Sequence, residues 1–120
     1  MNAYRNTEKD IHSRIYRFVI GCFKNVIKKI PKSTENISVI GQLSASLTSM
    51  GANDTEADAA ASRKDFVAKY TIVRKETRET LYWLSVVCDV AMLDRPIVEP
   101  YIKECEEIRN VVSSIIAHSR

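Results

Sequence analysis

Apolar residues recur every three or four positions along most of the chain, the spacing that places side chains on one face of an α-helix. In the first segment the repeat stops just before Pro31, a residue that ends a helix. The pattern predicts a first helix over about residues 8–30. Its apolar face consists of Ile11, Ile15, Phe18, Val19, Cys22, Val26 and Ile30.

The second segment has a narrower apolar stripe and many small residues, and it predicts a helix over residues 34–61. Its helix propensity is mediocre, so this helix depends on tertiary contacts. Small residues such as Gly41 and Gly51 permit close packing of a neighbouring helix. The predicted stripe consists of Ile37, Ile40, Leu43, Leu47 and Met50.

Two further segments have the same helical spacing. A third helix is predicted over 62–93, with Ser62 and Asp65 in the spacing of a capping pair. A fourth is predicted over 96–118, since proline is tolerated in a first turn. The third face consists of Phe66, Tyr70, Val73, Thr77, Leu84, Val87, Cys88 and Ala91, and the fourth of Tyr101, Cys105, Ile108, Val112 and Ile115.

Four amphipathic helices with short connections predict an all-α fold, an antiparallel up-and-down four-helix bundle. The chain has 120 residues, which suits a single domain over 1–120. Three Gly and three Pro are too few for the turns that several β-strands need.

The three cysteines, Cys22, Cys88 and Cys105, are odd in number and widely spaced. They predict reduced, buried thiols and a cytoplasmic location. Charged residues within the first ten positions argue against a secretory leader. The stretch 36–53 has no ionisable group, but its many Ser and Thr residues favour a soluble helix, so no membrane span is expected.

Charge is distributed unevenly, although the net charge is only +3. Residues 1–32 hold eight basic and two acidic groups, whereas 33–62 hold four acidic groups and no basic one. A basic stripe on the first helix, with Gly21 in its middle, suits a phosphate backbone, which Gly21 would let approach closely. The alternative is a solvated basic face, paired with the acids of helix four. The predicted phosphate contacts are Arg14, Arg17, Lys24 and Lys28, with Lys64, Lys75 and Arg78 as secondary candidates.

The third helix carries a second stripe beside its core face, formed by Ile72, Glu76, Glu79, Trp83 and Val90. A wide apolar arc with an aromatic anchor is typical of a subunit contact. We therefore expect Ile72, Trp83 and Val90 to form an oligomer interface. The alternative is a tryptophan half-buried at the rim of the bundle.

Residues that could support catalysis are few, and we expect neither an enzyme nor a metal or cofactor. His12 and His118 lie near the two ends without a companion at ligand spacing. The carboxylates between helices two and three are expected to form a structural polar network rather than a metal site. This network is Asn53, Glu56, Glu76 and Glu79, with Arg78 and Lys75 as candidate partners.

The runs at residues 42–43, 49–53, 56–57, 62–66 and 75–84 resemble a bacterial family of four-helix bundles. It is the family encoded in intervening sequences of 23S ribosomal RNA genes, which is also described as a ribosomal protein family. The resemblance covers about residues 8–118. The matching positions are Gly51, Ala52, Asn53 and Glu56 in helix two and Arg78, Glu79, Tyr82 and Trp83 in helix three.

The resemblance implies an up-and-down bundle that assembles as a ring-shaped homopentamer. A relative, the accessory variability determinant of diversity-generating retroelements, binds RNA and a reverse transcriptase through a basic surface. This chain departs from the family at residues 44–46, where Ser-Ala-Ser replaces a run that often contains Arg. The hypothesis is a non-enzymatic homo-oligomer, with itself and RNA as partners; the alternative is a protein-interaction scaffold without a nucleic-acid role.

Overall fold

The computed structural model describes the backbone of residues 3–120 and the side chains of residues 11–120. Its regular elements are all helical, which confirms the predicted all-α fold. A short 3-10 turn at Ile27–Lys29 follows the first helix. The four helices are α1 (Ala3–Asn25), α2 (Thr34–Asp58), α3 (Arg63–Asp89) and α4 (Arg95–Ser119).

Helix contacts follow the chain around the bundle. Each helix packs against its neighbour in sequence, and α1 closes the bundle by packing against α4. Short connections make sequential helices antiparallel, as expected of an up-and-down bundle. The molecule measures 46 × 22 × 20 Å. In the described part of the chain, no helix combines the length and the hydropathy needed to cross a membrane.

The first helix ends earlier than the predicted residue 30, and the cause is the proline that follows. Proline disfavours helical backbone in the residue before it, and Ile30 is extended, with φ −69° and ψ 124°. The chain therefore tightens into the 3-10 turn after Asn25. α1 also covers residues 3–7, ahead of the predicted start.

The third helix ends at Asp89 rather than at residue 93, because the chain reverses in a Schellman motif. The amide of Met92 donates to the carbonyl of Val87, and the amide of Ala91 donates to that of Cys88. Ala91 has a φ of 60°, a left-handed conformation that is unfavourable for a residue with a β-carbon. The expectation that Ala91 belongs to the apolar helix face is wrong, since it is exposed.

Serine side chains cap the second and third helices. The hydroxyl of Ser33 accepts a hydrogen bond from the amide of Asn36 at 3.2 Å, and Ser62 accepts one from the amide of Asp65 at 3.1 Å. The second contact confirms the capping pair predicted from the sequence. Each bond satisfies one amide that lacks an intrahelical partner. α2 ends at Asp58, short of the predicted residue 61.

The core agrees with the predicted helical faces at most positions. Ile37 is the exception on α2, because it is 59% exposed while Val39 is buried instead.

The three cysteines are free and buried, as predicted. Burial raises the pKa of the Cys22 thiol and raises that of Cys105 to about 12. Both side chains therefore remain neutral thiols at physiological pH, which disfavours reactivity.

Candidate nucleic-acid interface and neighbouring polar clusters

Three of the four basic residues predicted on α1 are exposed and available to an outside ligand. Arg17, Lys24 and Lys28 lie on the outer surface of the first helix and the turn that follows it. In the described part of the chain, no carboxylate lies within ion-pair distance of any of them. Within residues 11–120, their positive charge is therefore not paired with a carboxylate.

Arg14, the fourth residue of that stripe, is already bound by acids of α4. Its guanidinium donates to both carboxylate oxygens of Glu104, at 2.7 and 2.8 Å, and to Glu107 at 3.0 Å. The hydrogen bond with Glu104 is the main reason why the pKa of Arg14 is raised. At this position the structure shows the pairing with helix four that the sequence left as an alternative.

Gly21 lies in the α1–α4 contact, so its role as an approach point for phosphate is wrong. A β-carbon at this position would lie 3.0 Å from the ring of Tyr101. The hydroxyl of Tyr101 in turn accepts a hydrogen bond from Asn25 Nδ2 at 2.6 Å. The missing side chain therefore allows a tyrosine of α4 to pack closely on α1.

The secondary candidates form a separate basic surface on α3. Lys64, Lys75 and Arg78 are exposed, and none has an ion-pair partner in the described part of the chain. The helices α1 and α3 occupy diagonal corners of the bundle, so their outer surfaces face in different directions. A single chain thus presents two basic surfaces rather than one continuous surface.

The predicted interface residues on α3 differ in exposure. Val90 is 64% exposed and Ile72 is 37% exposed, whereas Trp83 is half-buried and packs against the core. Tyr82 is 61% exposed, and its ring meets the Trp83 ring edge-on, with centroids 4.8 Å apart. This side of α3 therefore presents an apolar surface to solvent.

The predicted polar network divides into two parts, and Ser49 joins the first of them. Asn53 Nδ2 donates to the carbonyl and the hydroxyl of Ser49, at 2.9 and 3.3 Å. Partial burial and a hydrogen bond with Glu79 raise the pKa of Glu76, whereas the Ser49 hydroxyl lowers it. Glu56 lies apart from this group and forms an ion pair with Lys69 at 3.1 Å.

The structure also reveals a polar cluster that the sequence did not predict. His12 was expected to have no companion, yet its Nδ1 lies 2.7 Å from Asp54 Oδ1 and its Nε2 lies 3.3 Å from Asp58 Oδ1. The hydroxyl of Tyr70 donates to the same Asp54 oxygen at 2.6 Å. The cluster therefore ties α1, α2 and α3 together.

One sequence signal indicated that Asp54 is buried. It follows Met50 by four residues and Leu47 by seven, so it lies on the apolar stripe of α2. A carboxylate in such a position needs hydrogen-bond donors from neighbouring helices.

The cluster borders an open cavity of about 350 Å³ between α1 and α2. In residues 11–120, no three potential metal ligands converge on one point.

Comparisons with known proteins agree with this architecture. The sequence profile described as 23S rRNA-intervening sequence protein matches residues 7–114. A crystal structure of a protein of unknown function from Bacteroides thetaiotaomicron, assigned to the S23 ribosomal protein family, superposes with a TM-score of 0.83. The two sequences are 30% identical, and the match covers 92% of this chain and 98% of the other. No curated protein matches the sequence.

Proposed function

The chain belongs to the 23S rRNA-intervening sequence protein family, and on this premise we propose that it is a self-associating helical bundle that binds RNA or another polyanion. The proposed role is binding rather than catalysis. The basic side chains neutralise phosphates and do not read base sequence. Self-association places several copies of the basic surfaces on one particle and thereby increases avidity.

The observation that carries the binding proposal is the contrast between paired and unpaired cations. Arg14, Lys69, Arg95 and Lys103 all face carboxylates within ion-pair distance. The remaining candidates are exposed and have no such partner in the described part of the chain, so contact with phosphate would cost no internal ion pair. These candidates are Arg17, Lys24 and Lys28 on one surface and Lys64, Lys75 and Arg78 on the other.

Titration of a fluorescently labelled structured RNA tests this proposal. Wild-type protein should bind at about 50 mM salt and weaken steeply towards about 200 mM, because counterions are released from the phosphates. Replacing three unpaired cations by glutamine should reduce the salt slope by about two to three. The two triple variants change Arg17, Lys24 and Lys28, or Lys64, Lys75 and Arg78.

A third variant with the same loss of charge provides the control. It changes Arg95, Lys103 and Arg120, which are exposed and lie on or at the end of α4. Non-specific attraction by net charge would make all three variants equally weak. The proposal instead requires the α4 variant to bind with a slope close to that of the wild type. Absence of wild-type binding at low salt would contradict it.

The second candidate is a scaffold that binds a protein partner and no nucleic acid. The pairing of Arg14 with Glu104 and Glu107 favours it, because part of the basic stripe already stabilises the bundle. Wild-type protein that self-associates but binds no RNA would support this second function.

A further inference from the structure

The lysines and arginines that are half-buried in the described part of the chain divide into two pairs. Arg14 and Lys69 face carboxylates at 2.7 and 3.1 Å. Arg74 of α3 and Arg109 of α4 are also half-buried, but no carboxylate of residues 11–120 lies within ion-pair distance of either. The Nε atom of Arg109 donates to the neutral side-chain oxygen of Asn110 at 3.4 Å.

This difference matters because a charged group that loses part of its hydration needs an opposite charge in return. Arg14 and Lys69 obtain that charge from acids of a neighbouring helix. Arg74 and Arg109 obtain none from the described residues. Their partial burial is therefore typical of a site that is completed by an anion from outside the chain.

Arg109 lies on the side of α4 that faces α3. Glu104 marks the opposite side, because it binds Arg14 of α1. Arg109 follows Glu104 by five residues, which places it about 140° farther around the helix. Cys105 and Ile108, which point into the core, lie between the two.

Arg74 lies on the side of α3 that faces α4. Glu76 marks the side towards α2, because the hydroxyl of Ser49 lowers its pKa through a hydrogen bond. Arg74 precedes Glu76 by two residues, which places it about 160° away around the helix. The two arginines therefore border the same groove, here called the α3–α4 groove.

The two arginines also lie at the same level along the bundle. The thiol of Cys105 donates to the carbonyl of Thr77 at 3.3 Å, which fixes the height of α4 against α3. Arg109 follows Cys105 by four residues, and Arg74 precedes Thr77 by three. Because α3 and α4 are antiparallel, both displacements have the same direction, and the levels differ by about 1.5 Å.

A third arginine extends this pair. Arg78 follows Arg74 by four residues, so it lies one turn farther along the same side of α3. It is exposed and has no ion-pair partner in the described part of the chain. Glu106, three residues before Arg109, is exposed and forms no ion pair with these arginines. The α3–α4 groove therefore has a surplus of positive charge.

The chemistry of three guanidinium groups indicates which anion would fit. Each group is a planar fork of N–H donors that matches the oxygens of a phosphate. A phosphate in the RNA backbone carries one negative charge. A phosphate monoester carries about 1.5 to 2 negative charges at neutral pH and has three acceptor oxygens. Three converging positive charges are therefore balanced better by a monoester than by a backbone phosphate.

We propose that Arg74, Arg78 and Arg109 form a binding site for a phosphate monoester in the α3–α4 groove. Two molecules present this group: an RNA strand with a 5′-phosphate, and a free nucleoside monophosphate. The site goes beyond the proposed function, because that function requires only neutralisation of backbone phosphates. It also adds Arg74 and Arg109, which belong to neither of the two basic surfaces.

Fluorescence anisotropy with two forms of one short single-stranded RNA tests this site. One form ends in a 5′-phosphate and the other in a 5′-hydroxyl. Wild-type protein should bind the phosphorylated form at least about tenfold more tightly, because charge-assisted hydrogen bonds to the end are gained. Arg74→Gln with Arg109→Gln in one chain should reduce this ratio to about twofold or less.

A matched double variant, Arg95→Gln with Lys103→Gln, removes the same charge from exposed positions of α4. It should weaken both forms equally and keep the ratio. Glu106→Gln removes an acid near Arg109 and should raise the ratio about two- to threefold. This gain of binding does not require a variant that loses an arginine to fold.

Competition with adenosine monophosphate, with adenosine as its control, identifies the source of the group. Displacement of the phosphorylated RNA by the nucleotide would support a site for free nucleotides, and a preference for phosphorylated RNA without displacement would support a site for RNA ends. Equal binding of the two RNA forms by the wild type, without displacement, would overturn the site but leave the proposed function intact. A ratio that Arg74→Gln with Arg109→Gln does not change would also overturn it. The proposed function fails separately, if the 5′-hydroxyl RNA does not bind at low salt.

Discussion

Asp54 illustrates, at the scale of single residues, how one buried carboxylate fixes the relative position of three helices. It is 4% exposed, and both His12 and Tyr70 are hydrogen-bonded to its Oδ1 atom. Burial of a carboxylate is costly unless donors replace its hydration. Each donor from a neighbouring helix therefore stabilises one particular packing arrangement of α1, α2 and α3.

Tyr70→Phe tests the energetic weight of this cluster. The variant removes the hydroxyl that donates to Asp54 and leaves the buried carboxylate with one donor fewer. We expect the free energy of unfolding in urea to fall by about 1–3 kcal/mol. Tyr82→Phe, which removes an exposed hydroxyl, should change it by less than about 0.5 kcal/mol. Equal effects of the two variants would show that the cluster contributes little.

Glu76 is a carboxylate whose replacement is expected to stabilise the fold, whereas Tyr70→Phe is expected to destabilise it. Burial and Glu79 raise its pKa, so the folded chain binds this proton more tightly than the unfolded chain does. Glu76 therefore makes its full stabilising contribution to the free energy of unfolding below the ordinary pKa of a glutamate. This contribution is lost as the pH rises through the raised pKa of Glu76 in the folded chain.

Glu76→Gln removes this loss, and its effect depends on pH. Thermal unfolding of dilute protein should show a higher Tm than wild type at about pH 7. The difference should disappear at about pH 3, where both side chains are neutral. Glu106→Gln, at an exposed site, should show no such pH dependence. A lower Tm at neutral pH would contradict the repulsion inferred between Glu76 and Glu79.

At the scale of helix pairs, Gly41 and Gly21 differ in how closely a neighbouring helix approaches them. Gly41 of α2 has no atom of another helix within 4 Å of the place where a β-carbon would lie. Gly21 of α1 has the Tyr101 ring 3.0 Å from that place. Alanine favours helix over glycine by about 0.5–1 kcal/mol, so the two sites separate helix propensity from packing.

Gly41→Ala should therefore raise the free energy of unfolding by about 0.5–1 kcal/mol. Gly21→Ala should lower it, because Tyr101 must move and its hydrogen bond with Asn25 is strained. Urea unfolding of both variants measures the difference. A comparable gain at Gly21 would show that the α1–α4 contact adjusts freely.

The limits of sequence-based prediction are also clear at this scale. The spacing of apolar residues predicted which side of each helix is buried. Leu43 and Ile108, for example, are buried as predicted. Contacts between helices depend on how the helices are rotated and shifted relative to each other. The spacing of residues within one helix does not determine this. The pairs Arg14–Glu104 and Gly21–Tyr101 join positions about ninety and eighty residues apart. For that reason the donors to Asp54 and the packing role of Gly21 were missed.

At the scale of the whole molecule, Trp83 is the residue through which self-association is tested most simply. If it anchors a subunit contact, Trp83→Ala should lower the solution mass by light scattering while the helical circular dichroism signal persists. Large-to-small changes at buried sites cost about 3–5 kcal/mol. Urea unfolding must therefore first show that the variant is folded. A folded variant with unchanged mass would place Trp83 at the bundle rim only.

The fold and the family were predictable as a whole, whereas the candidate site was predictable only in part. Helical spacing and the runs at 49–53 and 75–84 were sufficient for the bundle and its family. The sequence indicated where positive charge is concentrated, but not that Arg14 would be bound by Glu104. Whether a cation is free depends on the acids that the fold brings next to it.

Sedimentation velocity of a labelled RNA mixed with the protein tests the central claim most directly, because it reports binding and assembly together. The account predicts that at low salt the RNA sediments faster, with a mass that includes several chains. At higher salt the RNA should separate from an intact protein oligomer. RNA that sediments alone at low salt, or with a single chain, would contradict the claim.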